Sequence, residues 1–236
     1  MNYVGVTDLG QVRSGNEDCY GFDAARRVAV LADGMGGLNA GEIASAAAVR
    51  AFLSAVPEGC DSAALAAAAR HANEQVFALS RASIGQGVMG TTLVASVAFD
   101  SAAGEARWLF ANIGDSRAYL LRDGALTQVT RDHSVVQELT EQGVLTADEA
   151  RVAPNRHVIT RAVGLEPEVD PDIAELERQG GDLVLLCSDG LTDMLHEEAI
   201  VDVLTASDSL AVAADQLVAA ANRAGGVDNI SVVLIR

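Results

Sequence analysis

The stretch RVAVLADGMGG, Arg27–Gly37, decides how the rest of the chain is read. Val28, Ala29, Val30, Leu31 and Ala32 form an unbroken apolar run, Asp33 follows at once, and glycines and Met35 come next. An apolar run of this length closed by a glycine-rich stretch reads as a buried strand ending in a tight loop. A carboxylate delivered to the mouth of such a strand must be paired or must hold a metal, because desolvating it alone is costly. Asp182–Gly190, DLVLLCSDG, repeats the arrangement and ends at Asp189-Gly190. Trp108–Asp115, WLFANIGD, is a third version, and in a fourth Asp228-Asn229 precedes the apolar run Ile230–Ile235. Asp-Gly alone is ordinary turn chemistry. Asp123-Gly124, between polar neighbours at hairpin spacing, is the contrast. What distinguishes Asp33 and Asp189 is the apolar strand that delivers each of them.

Half of the 236 residues are hydrophobic, which suits one domain with a sizeable core over 1–236. The net charge of -17 makes nucleic acid and anionic membrane surfaces poor partners. All 16 basic residues are arginines. With no lysine, a Schiff-base enzyme, a P-loop with its lysine and a protein-kinase site are excluded. Cys19, Cys60 and Cys187 are odd in number and lack zinc or redox spacing, so reduced thiols in a cytoplasmic protein are expected. The start, MNYVGVTDLG, has no basic segment followed by an apolar stretch, so no signal peptide is expected, and no apolar run reaches membrane-spanning length.

Strands are expected at Tyr3–Thr7, Val28–Ala32, Thr91–Phe99, Arg107–Ala111, Arg117–Leu121, Leu126–Thr130, Leu183–Cys187 and Ile230–Ile235. Asp8–Asp18 reads as a loop. Helices are expected at Glu42–Val56, Ser62–Ser80, Glu197–Leu204 and Leu210–Arg223, with short helical pieces at Ser134–Glu141 and Ala147–Ala150. Because helices group with helices and strands with strands, an α+β sandwich of antiparallel sheets is favoured over a βαβ alternation.

Carboxylates without clustered His or Cys favour Mg²⁺ or Mn²⁺ over zinc. Glycine allows close backbone approach, so the Gly34 carbonyl is a further candidate ligand. Two ions sharing Asp33 would activate a water and polarise a phosphoryl group. Arg13 offers a fork that matches phosphate oxygens, or else pairs at the surface with Glu17. His71 and His196 read as structural or exposed, whereas His133 and His157 stay open.

TDLGQVRSGNEDCYG (Thr7–Gly21), LADGMGG (Leu31–Gly37), GTTL (Gly90–Leu93), NIGDSRAYL (Asn112–Leu120), TRDHS (Thr130–Ser134), HVITRAVG (His157–Gly164), LCSDGLTDM (Leu186–Met194) and GGVDNISVVL (Gly225–Leu234) occur in this order. Together they resemble the metal-dependent protein serine/threonine phosphatases of type 2C, in their bacterial single-domain branch. The resemblance implies a four-layer α-β-β-α sandwich of two mainly antiparallel sheets flanked by helices. It implies that Asp33 bridges two metals, with the Gly34 carbonyl on one and Asp189 and Asp228 on the other. A weaker third ion would be held partly by Asp115 with Asp189. Arg13 would bind substrate phosphate, Glu17 and Asp18 would bind metal waters, and Asn229 follows the last metal aspartate. Ser134–Arg161 would form a flap beside the site.

The implied activity is hydrolysis of phosphoserine and phosphothreonine by a metal-bridging water, opposing a bacterial serine/threonine kinase and its substrates, in a monomer. A dedicated switch-protein phosphatase and a catalytically dead binding module are the rivals. The retained aspartates and Arg13 argue against the second. Histidines that relatives carry near the metals are replaced by Met35 and Leu38, so no general acid transfers by resemblance.

Overall fold

The computed structural model describes residues 1–37, 40–82, 89–101 and 104–236. Eleven strands and seven helices run in the order β1 (Tyr3–Asp8), β2 (Asp18–Asp23), β3 (Val28–Gly36), α1 (Ala40–Ala55), α2 (Ser62–Ala82), β4 (Met89–Thr91), β5 (Leu93–Asp100), β6 (Ala106–Ile113), β7 (Arg117–Arg122), β8 (Ala125–Gln128), α3 (Val135–Glu141), α4 (Ala147–Val152), β9 (Asp172–Glu177), β10 (Leu183–Cys187), α5 (Asp189–Thr192), α6 (Glu197–Ala206), α7 (Leu210–Arg223) and β11 (Ile230–Ile235) among the described residues. One sheet has the order β1-β11-β10-β7-β8 and the other β2-β3-β5-β6-β9, with β4 added to β3. Every pairing between these strands is antiparallel.

The side-chain period of a strand accounts for the layering. On β3, Val28, Val30 and Ala32 pack with Ala44, Ala48 and Phe52 of α1 and Leu65 of α2. Ala29 and Leu31, on the opposite face, join Val184, Leu186 and Val233 in the layer between the sheets. Leu185 and Cys187 of β10 face α5 to α7 through Leu191, Leu217 and Ala221. The result is the α-β-β-α sandwich. Its central strands are buried on both faces, which is why they read as continuous apolar runs rather than alternating ones.

Three features differ from the reading of the sequence. DGMGG is not a loop closing a strand at Ala32, because β3 runs on to Gly36. Up to Leu31 it pairs with β5, and from Gly34 it pairs with β4. Asp33 therefore lies inside a strand, where the partner changes. The Asp8–Asp18 loop ends by entering β2, whose Asp18 pairs with Asp33. β9, not anticipated at all, forms the far edge of the second sheet against β6.

Candidate metal centre and phosphate cleft

A cleft of about 590 Å³ is lined by Arg13, Glu17, Asp33, Gly34, Asp115, Asp189, Asp228 and Asn229, together with Met35, Arg156, His157 and Asp193. The sequence-derived candidates are thus brought together, except that Asp18 lies beneath the lining and is buried. Leu38 lies outside the described residues.

Local backbone chemistry fixes each carboxylate. The Asp33 N–H donates to Thr92 Oγ1 (2.9 Å), and its carbonyl accepts from the Thr92 N–H and from Thr91 Oγ1, both at 2.8 Å. Gly34 is tolerated only as glycine: a Cβ there would fall 2.2 Å from the Gly41 carbonyl and 2.5 Å from that of Glu17. Asp115 follows Gly114, whose φ of +108° suits glycine. Asp189 opens α5 directly after β10. Asp228 stands two residues before β11, and its Oδ1 accepts from the Asn229 N–H at 2.8 Å. Asn229 stitches the N-terminal loop to this corner. Its Oδ1 accepts from the Glu17 N–H (2.8 Å), and its Nδ2 donates to the carbonyls of Leu9 and Gly15, both at 3.0 Å. Arg13, half exposed, donates from Nη2 to Asp228 Oδ2 at 2.7 Å and not to Glu17.

The electrostatics of the cleft are those of an acidic cluster short of cations. Burial, and then the charges of Asp18, Asp189, Asp115 and Asp228, push the Asp33 carboxyl well above the usual carboxylate range. Asp115 is pushed up to about 7 by burial and by Asp189. Asp18 is pushed up to about 6, again chiefly by burial, although Ser188 Oγ donates to its Oδ2 at 2.8 Å. Asp18 Oδ1 and Asp189 Oδ1 are buried with no hydrogen-bond partner. Unpartnered buried carboxylate oxygens, set among further carboxylates, fit hard divalent cations with oxygen ligands.

Two residues were not resolved by reading the sequence. His157 lies at the cleft with Nδ1 3.9 Å from Asp189 Oδ2 and 3.6 Å from Asp193 Oδ2. One ligating atom from each of the three lies within 4.8 Å of the others. Asp189, then Asp193, holds the imidazole above its ordinary pKa against the effect of burial. Asp193 went unnoticed in the sequence. Its signal is a second aspartate four residues after Asp189, hence on the same side of a helical turn. His133, by contrast, is buried and absent from the cleft lining.

The sequence pattern of the protein phosphatase 2C family matches residues 12–222. This chain belongs to that family. It is 37% identical over 241 residues to "Serine/threonine phosphatase stp" of Listeria welshimeri, covering 97% of this chain and 93% of that one. The crystal structure of the Mycobacterium tuberculosis serine/threonine phosphatase PstP/Ppp superposes with a TM-score of 0.90 at 40% identity, covering 99% of this chain and 97% of that one. The catalytic domain of PstP in complex with two manganese ions gives a TM-score of 0.87 at 40% identity, with 99% and 96% covered. No described helix is long and apolar enough to cross a membrane.

Proposed function

We infer that this phosphatase 2C chain removes phosphate from phosphoserine and phosphothreonine in proteins as a metal-dependent hydrolase. The observation that carries the reading is the carboxylate cluster with its unpartnered buried oxygens, set beside an arginine at one cleft. Asp33, the Gly34 carbonyl, Asp189 and Asp228 would hold two Mg²⁺ or Mn²⁺ ions. Asp115, with Asp189, would hold a weaker third. When bound, the ions supply an activated water and stabilise charge on the phosphoryl oxygens.

The chain's own groups do the rest. Arg13 turns its fork from Asp228 to the phosphate oxygens and orients the phosphorus. Glu17 accepts hydrogen bonds from water in the cleft, and Asp18, beneath the lining, offers its unpartnered Oδ1 to a metal-bound water from the buried side. Asn229 keeps the loop that carries Arg13 and Glu17 against β11. A serine or threonine oxygen leaves poorly without a proton. His157 is the histidine placed at the cleft to hold one, on Nε2. A second cavity of about 530 Å³ shares Asp115, His157 and Asp189 with the cleft and is also lined by Val136, Ala147 and Arg151 of the 134–161 segment. It offers room for protein chain beyond the phosphoresidue, and the segment acts as a flap over it.

The counterpart is a serine/threonine kinase and its substrates, met by a cytoplasmic monomer. The test is hydrolysis of matched phosphothreonine and phosphotyrosine peptides in Mn²⁺. A clear preference for phosphothreonine supports the reading, and equal rates or none overturn it.

A further inference from the structure

Of the four histidines, only His133 is buried, at 1% exposure, and the chemistry above does not use it. It makes a reciprocal pair with the residue just before Asp115. The His133 N–H donates to the Gly114 carbonyl (2.9 Å), and the Gly114 N–H donates back to His133 Nδ1 (3.0 Å). Because Nδ1 accepts, the neutral ring carries its proton on Nε2. That nitrogen lies 3.2 Å from Asp172 Oδ2 on β9, with Arg161 Nη1 at 3.0 Å and itself donating to Asp172 Oδ1 at 2.6 Å. Burial, the largest influence, lowers the pKa of the imidazole and keeps the accepting form.

Both ends of the 134–161 segment meet at the same residue. Its carbonyl accepts from the Thr160 N–H at 2.8 Å. Ser134, the next residue, bridges to Ile159, and the Val135 N–H donates to the Val158 carbonyl at 2.9 Å. One side chain therefore touches the Asp115 turn, the returning arm of the segment through Arg161, and the edge strand β9. A filler residue would satisfy the space. An acceptor aimed at Gly114 and a donor aimed at Asp172 are more than filling requires.

We propose that His133 is a positioning residue that ties the base of the 134–161 segment to Gly114, so that the segment and the Asp115 carboxylate are held in register. The link to turnover rests on the reading of Asp115 as a cation ligand. The tie itself does not.

The experiment uses the full chain with His133→Ala, His133→Asn and His133→Gln. The Asn side chain places an oxygen where Nδ1 stands, and Gln places its acceptor one carbon too far. Trypsin cleavage at the exposed Arg151 is followed in chelator, and kcat and KM on a phosphothreonine peptide are measured in Mn²⁺. His133→Ala is expected to speed cleavage and to lower kcat by about ten-fold, the scale of one lost buried hydrogen bond, with KM within about two-fold. His133→Asn is expected to recover most of both effects, and His133→Gln neither. Equal behaviour of the Asn and Ala variants, or an Ala variant with unchanged cleavage, overturns the tie. Faster cleavage with unchanged kcat overturns the link to Asp115.

If His133→Ala does not fold, His133→Asn against His133→Gln serves, since only the first keeps an acceptor for the Gly114 N–H. Slower cleavage of the Asn variant than of the Gln variant is expected, and equal rates overturn the proposal. The cleavage measurement needs neither metal nor activity. A wild-type protein inactive in Mn²⁺ would therefore count against the phosphatase reading and not against the tie.

Discussion

The carboxylate cleft and the 134–161 segment beside it are built in opposite ways. Asp33, Asp115, Asp189 and Asp228 lie in, or within two residues of, strands β3, β6, β10 and β11. Those strands are bonded on both sides and covered on both faces. Helices α3 and α4 bury no residue among those described. They rest on the Ser134 N-cap, the Thr146–Glu149 capping box, the exposed Arg131–Glu141 ion pair and one contact from farther along the chain, the donation from Arg151 Nη2 to the Thr192 carbonyl at 3.2 Å. Caps are worth about 1 kcal/mol each and exposed ion pairs about 0–1 kcal/mol. The costly part, like charges held close together, is placed where the framework cannot yield. The cheap part is left where opening costs little.

The contrast is broken most severely by removing one carboxylate from the framework. Asp33→Asn, Asp189→Asn and Asp228→Asn are each expected to lower kcat by at least about 10²-fold in Mn²⁺. Circular dichroism should stay native, because each change relieves repulsion inside an intact sheet.

Next in size is the dependence of stability on pH without metal. Asp18 and Asp115 rise to about 6 and about 7 from an ordinary 3.8, and Asp33 shifts the same way. An acid whose pKa is higher in the folded state binds more protons there. It therefore stabilises the fold below its unfolded value and loses that contribution as pH rises through the folded one. His133, with a lowered pKa, acts oppositely and is outnumbered. The melting temperature in chelator is expected to fall by several degrees between pH 5 and about pH 8. Mn²⁺ at pH 8 should restore it. A Tm in chelator that rises with pH would contradict the clustering of these acids.

Arg13→Ala comes third. It removes a group that holds phosphate in ground and transition states alike, so KM should rise by about ten-fold with a smaller loss in kcat. The smallest effect belongs to the segment. Val144 and Val152 are 62% and 79% exposed, and Val144→Ser or Val152→Ser should change stability by no more than about 0.5 kcal/mol in a denaturant titration.

How much of this was legible in the sequence depended on burial. Val28–Ala32, Leu183–Cys187 and Ile230–Ile235 announced themselves because a strand covered on two faces is apolar throughout. β2 (DCYGFD) and β9 (DIAELE) are edge strands, half exposed, with polar residues that blur the pattern. The glycines of DGMGG carry turn chemistry locally. Pairing with Met89–Thr91, far along the chain, and the donation from the Gly34 N–H to the Glu17 carbonyl keep them extended. The aspartates after apolar runs were found one at a time, but their meeting is tertiary. So is the approach of His157 to Asp189 and Asp193, which no spacing between residues 157 and 189 encodes.

The central claim is that the carboxylates converge to hold the ions on which hydrolysis depends. Equilibrium dialysis of the chelator-stripped chain against rising Mn²⁺, with turnover on a phosphothreonine peptide read from the same samples, tests it most directly. The account predicts no turnover in the stripped chain, turnover that appears as the two tighter ions bind, and its full value once the weaker site at Asp115 fills as well. Full turnover with no Mn²⁺ bound would contradict it.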